Sequence, residues 1–188
     1  MTKFPVIPIV LHRFTTADYH RMVEAGILTA SDKVELLDGQ ISIMSPIGRF
    51  HAACVNRLNR FLSQQMGDEF IISIQNPIVL NDSSEPEPDI SVLRFKEDYY
   101  ESGHPEPQDT FLLVEVAESS FETDNGVKLA LYAQAAIPEV WIVDLKQNRV
   151  LVYQQPDQGE YRRMATFTRE EQLETSLSLS VSAKDILG

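Results

Sequence analysis

Glu115 interrupts an otherwise apolar run, Phe-Leu-Leu-Val-Glu-Val-Ala over 111–117, of the kind that forms the dry middle of a sheet. An ionised carboxylate in such a place costs several kcal/mol unless something pairs with it. Two kinds of partner would serve, a nearby Lys or Arg in a salt bridge or a bound metal ion. Asp89 follows Pro88 and opens a short strand to Leu93, so its carboxylate falls near a sheet end, where loops build sites. Alone it reads as a turn or cap carboxylate. On neighbouring strands the two acids can converge on one Mg²⁺, which prefers oxygen ligands and keeps several waters.

Lys128 falls one turn into the helix expected after the Glu115 strand, with Tyr132 four residues on along the same face. By general burial preference such a lysine is a solvated surface residue. Packed over its own strand, it would instead bring an ammonium to the carboxylates, where it could polarise a water or offset charge building on phosphorus. Glu35 alternates with Val34 and Leu36 in a hairpin strand and reads first as solvent-facing. His51 opens a helix, where its imidazole could meet a phosphate or only cap the helix. Gln75, Ser119 and Ser120 stand near expected strand ends and fit either a cleft wall or turns. Other chemistries find no footing: there is no Gly-rich phosphate loop, no Gly-x-Ser-x-Gly elbow and no His-Glu-x-x-His helix. Cys54 sits on the apolar side of its helix and reads as core.

The elements that must position these groups follow from periodicity. Thr15 and Thr16 can cap a short helix over 15–25, with Tyr19, Met22 and Val23 at helical spacing and Gly26 as its stop. Asp38-Gly39 supplies the positive φ angles of a two-residue turn between strands 34–37 and 40–44. Ala52, Val55, Leu58, Phe61, Leu62 and Met66 recur at 3.6-residue spacing, the clearest helix signal in the chain. Arg57 and Arg60, with Arg49 just before, make the outer face of that helix locally basic. Segment 70–80 reads as one bent strand or two, interrupted by Pro77. Asp124 can cap a helix running to Ala136, closed by Pro138. Residues 139–145 form a second buried strand, 150–154 and 161–167 a hairpin, and 177–181 a last strand. A helix between two buried strands implies a crossover, and so a mixed α/β sheet.

Bulk properties narrow the reading. The 188 residues suit one compact domain, with 1–13 as an N-terminal extension and 146–188 as a terminal hairpin and tail. Sixteen Lys and Arg against 28 Asp and Glu leave a net charge of −12, which argues against non-specific nucleic-acid binding but leaves room for a local basic groove or a divalent cation. One cysteine excludes an intrachain disulfide and a four-thiolate zinc site. The apolar stretch 4–11 carries Pro5 and Pro8 and lacks a signal-peptide pattern, and no run approaches the roughly 20 residues of a membrane span. The expectation is a cytoplasmic protein without membrane association.

The ordered motifs Val-Glu-Leu-Leu-Asp-Gly (34–39), Met-Ser-Pro (44–46), His51, Glu-Pro-Glu-Pro-Asp (85–89), Val-Glu-Val-Ala-Glu-Ser-Ser (114–120) and Lys128 resemble the bacterial family of putative restriction endonucleases. The resemblance continues through Leu-Tyr-Ala (131–133) and Ile-Pro-Glu-Val-Trp-Ile-Val-Asp (137–144). That family is placed in the PD-(D/E)XK nuclease superfamily. The resemblance implies a restriction-endonuclease-like core, a helix, a three-strand meander, a helix and a strand, with an N-terminal helix and β-hairpins added. Pro88-Asp89 matches the Pro-Asp element and Glu115 the second acid. The superfamily lysine two residues after that acid is replaced by Ala117, and Lys128 on the following helix matches the family's relocated lysine.

The activity so implied is Mg²⁺-dependent hydrolysis of DNA phosphodiesters, with Mn²⁺ as the alternative ion. Asp89, Glu115 and the Val116 carbonyl would hold the metal, and Lys128 would orient or help deprotonate a water. Glu35 would bind a second ion or relay a proton, and His51, Arg57, Arg60 and Gln75 would contact substrate. The rival reading is a catalytically inactive nuclease fold serving as a binding or regulatory module, favoured by Ala117 and the negative charge. A third is hydrolysis of another phosphate ester by the same chemistry. Exposed apolar residues expected on the terminal hairpins, and the need of many duplex cutters for two sites, suggest a homodimer. Convergence of Asp89, Glu115 and Lys128 in one concavity would favour the enzyme, and Lys128 pointing away would count against it.

Overall fold

A computed structural model describes residues 10–177 and 179–188, so the expected N-terminal extension lies outside the described residues up to position 9. Helix α1 (Thr16–Glu24) starts at Thr15, whose hydroxyl accepts from the Asp18 amide while the Asp18 carboxylate accepts from the Thr15 amide, so two otherwise unpaired donors are satisfied together. Strands β1 (Val34–Leu37) and β2 (Gln40–Ile43) pair as a hairpin of their own, turning at Asp38 and Gly39 with φ of 48° and 73°. A Cβ at Gly39 would stand 2.6 Å from Arg13 Cβ and 3.1 Å from the Phe14 carbonyl oxygen. Gly39→Ala is therefore expected to cost about 2 kcal/mol, from the left-handed backbone and the clash together. A urea midpoint equal to wild type would show that the turn is not held.

Helix α2 (Arg49–Gln65) buries Cys54, Val55, Leu58 and Leu62, the stripe its periodicity predicts. Strands β3 (Phe70–Ile74), β4 (Ile90–Arg94) and β5 (Thr110–Ala117) form an antiparallel meander. A crossover through a π-helical turn (Thr123–Lys128) and α3 (Leu129–Gln134) then leads to β6 (Glu139–Asp144), parallel to β5. Strands β7 (Arg149–Asp157) and β8 (Glu160–Thr168) complete a six-stranded sheet in the order β3-β4-β5-β6-β7-β8. The short helix α4 (Ala183–Leu187) closes the chain.

Alternation sorts the core into two layers. Leu112, Val114 and Val116 of β5, with Trp141 and Val143 of β6, face α2 and α4. Leu113 and Ala117, with Val140 and Ile142, face α3. Glu115 lies between Leu113 and Ala117 and so belongs to the α3 face. That placement decides its partners.

Several expectations are corrected. The strand ends at Ile74, because Gln75 takes a left-handed φ of 50° and 75–80 run irregularly. Asp124 does not cap the crossover helix; it is buried within a turn that begins before it. Segment 177–181 is not a strand in its described residues, and the tail makes an isolated bridge, Gln172 to Ser182, before the unexpected α4. On the terminal hairpin the one large apolar side chain exposed among the described residues is Met164, while Arg162 and Arg163 also decorate edge strand β8. An edge so charged resists strand addition through β8. No helix among the described residues is long and apolar enough to cross a membrane.

Candidate active site

The pairing of β4 and β5 sets Ile90 opposite Val114. Continuing that register by one residue places Asp89 opposite Glu115, so two carboxylates distant in sequence meet at one end of the central strands. Both line a cleft of about 610 Å³. One wall comes from the β1–β2 hairpin and the loop after it, with Glu35, Ile43, Met44 and Pro46, and the other from Ser119, Ser120, Thr123, Asp124 and Lys128.

Asp89 is held on every side. Its Oδ1 accepts from Gln75 Nε2 at 3.1 Å, and its Oδ2 accepts from the Val116 amide at 2.8 Å and lies 3.0 Å from His51 Nε2. Gln75 also donates its backbone N–H to the Asp89 carbonyl at 3.1 Å. Its left-handed backbone is the kind of strain that persists where neighbours over-determine a position.

Lys128 reaches Glu115 Oε1 at 2.7 Å, Glu35 Oε2 at 3.2 Å and the Glu87 carbonyl oxygen at 3.4 Å. The hydroxyl of Tyr132 donates to the same Glu115 oxygen at 2.5 Å, and Glu35 Oε2 also accepts from the Glu87 amide at 3.1 Å. The widened turn over Thr123–Lys128 explains why a residue so near the helix start is only 3% exposed. Its backbone bonds skip one residue further than in an α-helix, with the Leu129 N–H reaching the Asp124 carbonyl. This turn buries Asp124 and Lys128 together, and Ser120 Oγ donates to Asp124 at 2.5 Å.

Burial drives the Glu115 carboxyl well above its ordinary range; the Lys128 ammonium opposes this, while Asp124, Asp89 and Glu35 add to it. For Lys128, burial works against the charge, but Glu115, Glu35 and Asp124 outweigh it and hold the ammonium protonated far above the usual range. Burial also raises the Asp124 and Glu87 carboxyls, against the pull of neighbouring lysines. Burial lowers His51, yet its hydrogen bond and charge pairing with Asp89 prevail and its pKa rises. His51 thus stabilises the fold most below the pKa of an unfolded histidine, and that stabilisation disappears as pH climbs through the higher folded value. The Tm gap between wild type and His51→Gln should be widest near about pH 5.5, worth about 1.5 kcal/mol, and narrow by about pH 8.5. A pH-independent gap in thermal melts would mean that the pair is not charged.

The cleft gathers Glu35, Glu87, Asp89, Glu115 and Asp124 around the cations Lys33, Lys128 and His51, so negative charge is in surplus. Oxygen donors with unbalanced charge fit a hard divalent ion such as Mg²⁺ or Mn²⁺. No three His, Asp or Glu ligand atoms of the cleft lie within 4.8 Å of one another among the described residues. One or two carboxylates nevertheless suffice for Mg²⁺, which fills its remaining positions with water and phosphate oxygens.

Of the residues singled out from sequence, Glu35, His51, Gln75, Asp89, Glu115 and Lys128 meet at this cleft, and Val116 joins through its amide. Glu35 is buried rather than solvent-facing. His51 and Gln75 each turn their Nε2 to Asp89 and so position it, while His51 Nδ1 is buried without a hydrogen-bond partner among the described residues. Arg57 is elsewhere: it donates to the carbonyls of Ile186 and Leu187 at 3.1 and 2.7 Å, capping α4. Arg60 is exposed and does not line the cleft, so the basic face of α2 is not a wall of this site. Asp124, Tyr132 and Glu87 were not assigned from sequence. The four-residue spacing that sets Tyr132 on the Lys128 face extends back to Asp124, a signal that reading Asp124 as a cap conceals.

A mixed sheet whose parallel pair is joined by a crossover, with opposed acids and a lysine at one end, defines an α/β fold of nuclease type. A putative nuclease of DUF820 from Anabaena variabilis ATCC 29413 shares it, with a TM-score of 0.66 and 17% identity over 93% of this chain and 97% of that one. A family model described as Uma2, putative restriction endonuclease, matches residues 16–184, and the chain belongs to that family. No curated protein matches it.

Proposed function

We propose that the protein is a Mg²⁺-dependent endonuclease that hydrolyses DNA phosphodiester bonds. The observation that carries this reading is the convergence of Asp89, Glu115 and Lys128 in one concave site. Asp89, Glu115 and the Val116 carbonyl are the groups to hold the ion. A divalent cation bound there lowers the pKa of water and offsets the phosphate charge, with Mn²⁺ able to substitute for Mg²⁺.

The chain's own groups divide the remaining work. Gln75, His51 and the Val116 amide aim Asp89, and Tyr132 aims Glu115. Lys128, held as an ammonium, cannot accept a proton; it donates hydrogen bonds and balances charge near the phosphate. Glu87 is a better proton acceptor, since its raised carboxyl lines the cleft and makes no side-chain hydrogen bond among the described residues. Glu35 holds Lys128 in place. Because the cleft is acidic, affinity for the polyanion rests on the metal, and cutting both strands of a duplex calls for two copies of the chain.

Calorimetric titration of Mg²⁺ and Mn²⁺ into wild type and Glu115→Ala, paired with nicking of supercoiled plasmid, tests the reading. Binding and nicking that both vanish in the variant support it. Wild-type protein that binds neither ion and leaves the plasmid intact identifies a non-catalytic module instead, and activity on nucleotides but not on polymers identifies a different phosphoesterase.

A further inference from the structure

We propose a second metal site, for a borderline transition ion of the Zn²⁺ type, formed by His20, Glu85 and His104 away from the acidic cleft. One ligand atom from each lies within 4.8 Å of the other two, the one such group of three among the described residues, and His20 Nε2 is 2.7 Å from Glu85 Oε2. The three come from α1, the segment entering β4 and the loop after β4. Nothing in their local sequence requires them to meet.

Glu85 is the fixed member. It is 4% exposed, and its backbone is pinned to Leu36 by hydrogen bonds in both directions, at 2.8 and 3.3 Å. Among the described residues its carboxylate pairs with His20 alone. The two imidazoles are the adjustable members: both are exposed at the surface, with ring centroids 6.2 Å apart and planes inclined by 56°. Donors around Zn²⁺ at about 2.0–2.1 Å lie a little over about 3 Å from one another, so modest ring rotations toward the fixed carboxylate close the set. Two nitrogens and one oxygen select Zn²⁺, Co²⁺ or Ni²⁺ over Mg²⁺ and Ca²⁺, which favour all-oxygen shells. Three protein ligands leave a fourth, solvent-facing position for water. The ion cross-links α1 and the loop after β4 to the segment that carries Glu87 two residues later and Asp89 four residues later. The site therefore braces the entry to the cleft without belonging to it.

Zn²⁺ is titrated calorimetrically into the full chain carrying Asp89→Asn and Glu115→Gln, which removes the two cleft carboxylates proposed as metal ligands. One ion per chain is expected, with affinity falling at least about tenfold when His20→Ala or His104→Ala is added. Co²⁺ should give the visible ligand-field bands of a tetrahedral nitrogen-containing site, and these should vanish with His104→Ala, a change on an exposed loop that leaves the core intact. No Zn²⁺ uptake in the cleft-disabled chain, or uptake indifferent to both histidine variants, overturns the proposal and leaves His20–Glu85 as an ordinary hydrogen-bonded pair. Because nicking depends on the cleft and this titration does not, the two readings fail separately.

Discussion

Plasmid nicking in Mg²⁺ should fall at least about a thousandfold in Asp89→Asn and in Glu115→Gln, a loss of about 4 kcal/mol of transition-state stabilisation. Each variant keeps shape and volume and removes one negative charge from the pair set face to face by the β4–β5 register. The fold should survive both, because each replacement keeps the size and shape of the side chain, and because burial, helped by three neighbouring carboxylates, already pushes Glu115 toward protonation. Neutralising it relieves repulsion while Tyr132 keeps an acceptor. Melting temperatures near wild type with nicking lost would place the defect in chemistry. Nicking that persists in both variants would move the catalytic centre out of this cleft, or assign the activity to a contaminating enzyme.

The second large effect is on stability. Lys128→Met should destabilise the protein by about 3–5 kcal/mol, since removing one partner from a buried ion cluster leaves the others unpaired. For a chain of this length that is a drop of about 10 °C in Tm. Glu35, Glu115 and Asp124 would then face one another without the ammonium that holds them together. Adding Glu115→Leu to Lys128→Met should recover part of the loss, a non-additivity that marks direct coupling. Millimolar Mg²⁺ should likewise raise the Tm of Lys128→Met more than that of wild type, the ion supplying the missing positive charge. A Tm within a degree of wild type, read by calorimetry without metal, would show that the cluster is hydrated and screened rather than sealed.

These expectations also separate what Lys128 does from where it sits. A lysine two residues beyond the second acid would lie on the same strand as Glu115 and on the same face of the sheet. Here that position is Ala117, packed in the apolar layer beneath α3. The ammonium arrives from the crossover helix instead and meets Glu115 from above the sheet. The positive charge beside Glu115 is thus supplied by a different backbone segment, and the π-helical turn makes that delivery geometrically feasible.

Much was legible in the residues themselves wherever the cause was local. Asp38-Gly39 determined a hairpin turn, because few other pairs accept two positive φ angles. The 3.6-residue recurrence from Val55 to Leu62 determined α2, and the apolar run around Glu115 determined a central strand with one anomalous charge. The crossover between β5 and β6 followed, since two buried strands joined by a helix pair in parallel.

Tertiary structure alone decided which charges share a site. Glu35 reads as a solvent-facing strand residue until the β1–β2 hairpin folds over the end of the main sheet and sets it 3.2 Å from Lys128. Arg57 reads as part of a basic face until α4, invisible in the periodicity of a five-residue stretch, presents its carbonyls. Asp124 reads as a cap until one extra residue in the turn rotates it inward. The physical reason is the same each time. Periods of 2 and 3.6 residues are properties of a local segment, whereas the meeting of His20 with Glu85, or of Lys128 with Glu35, depends on register and rotation summed over dozens of intervening residues.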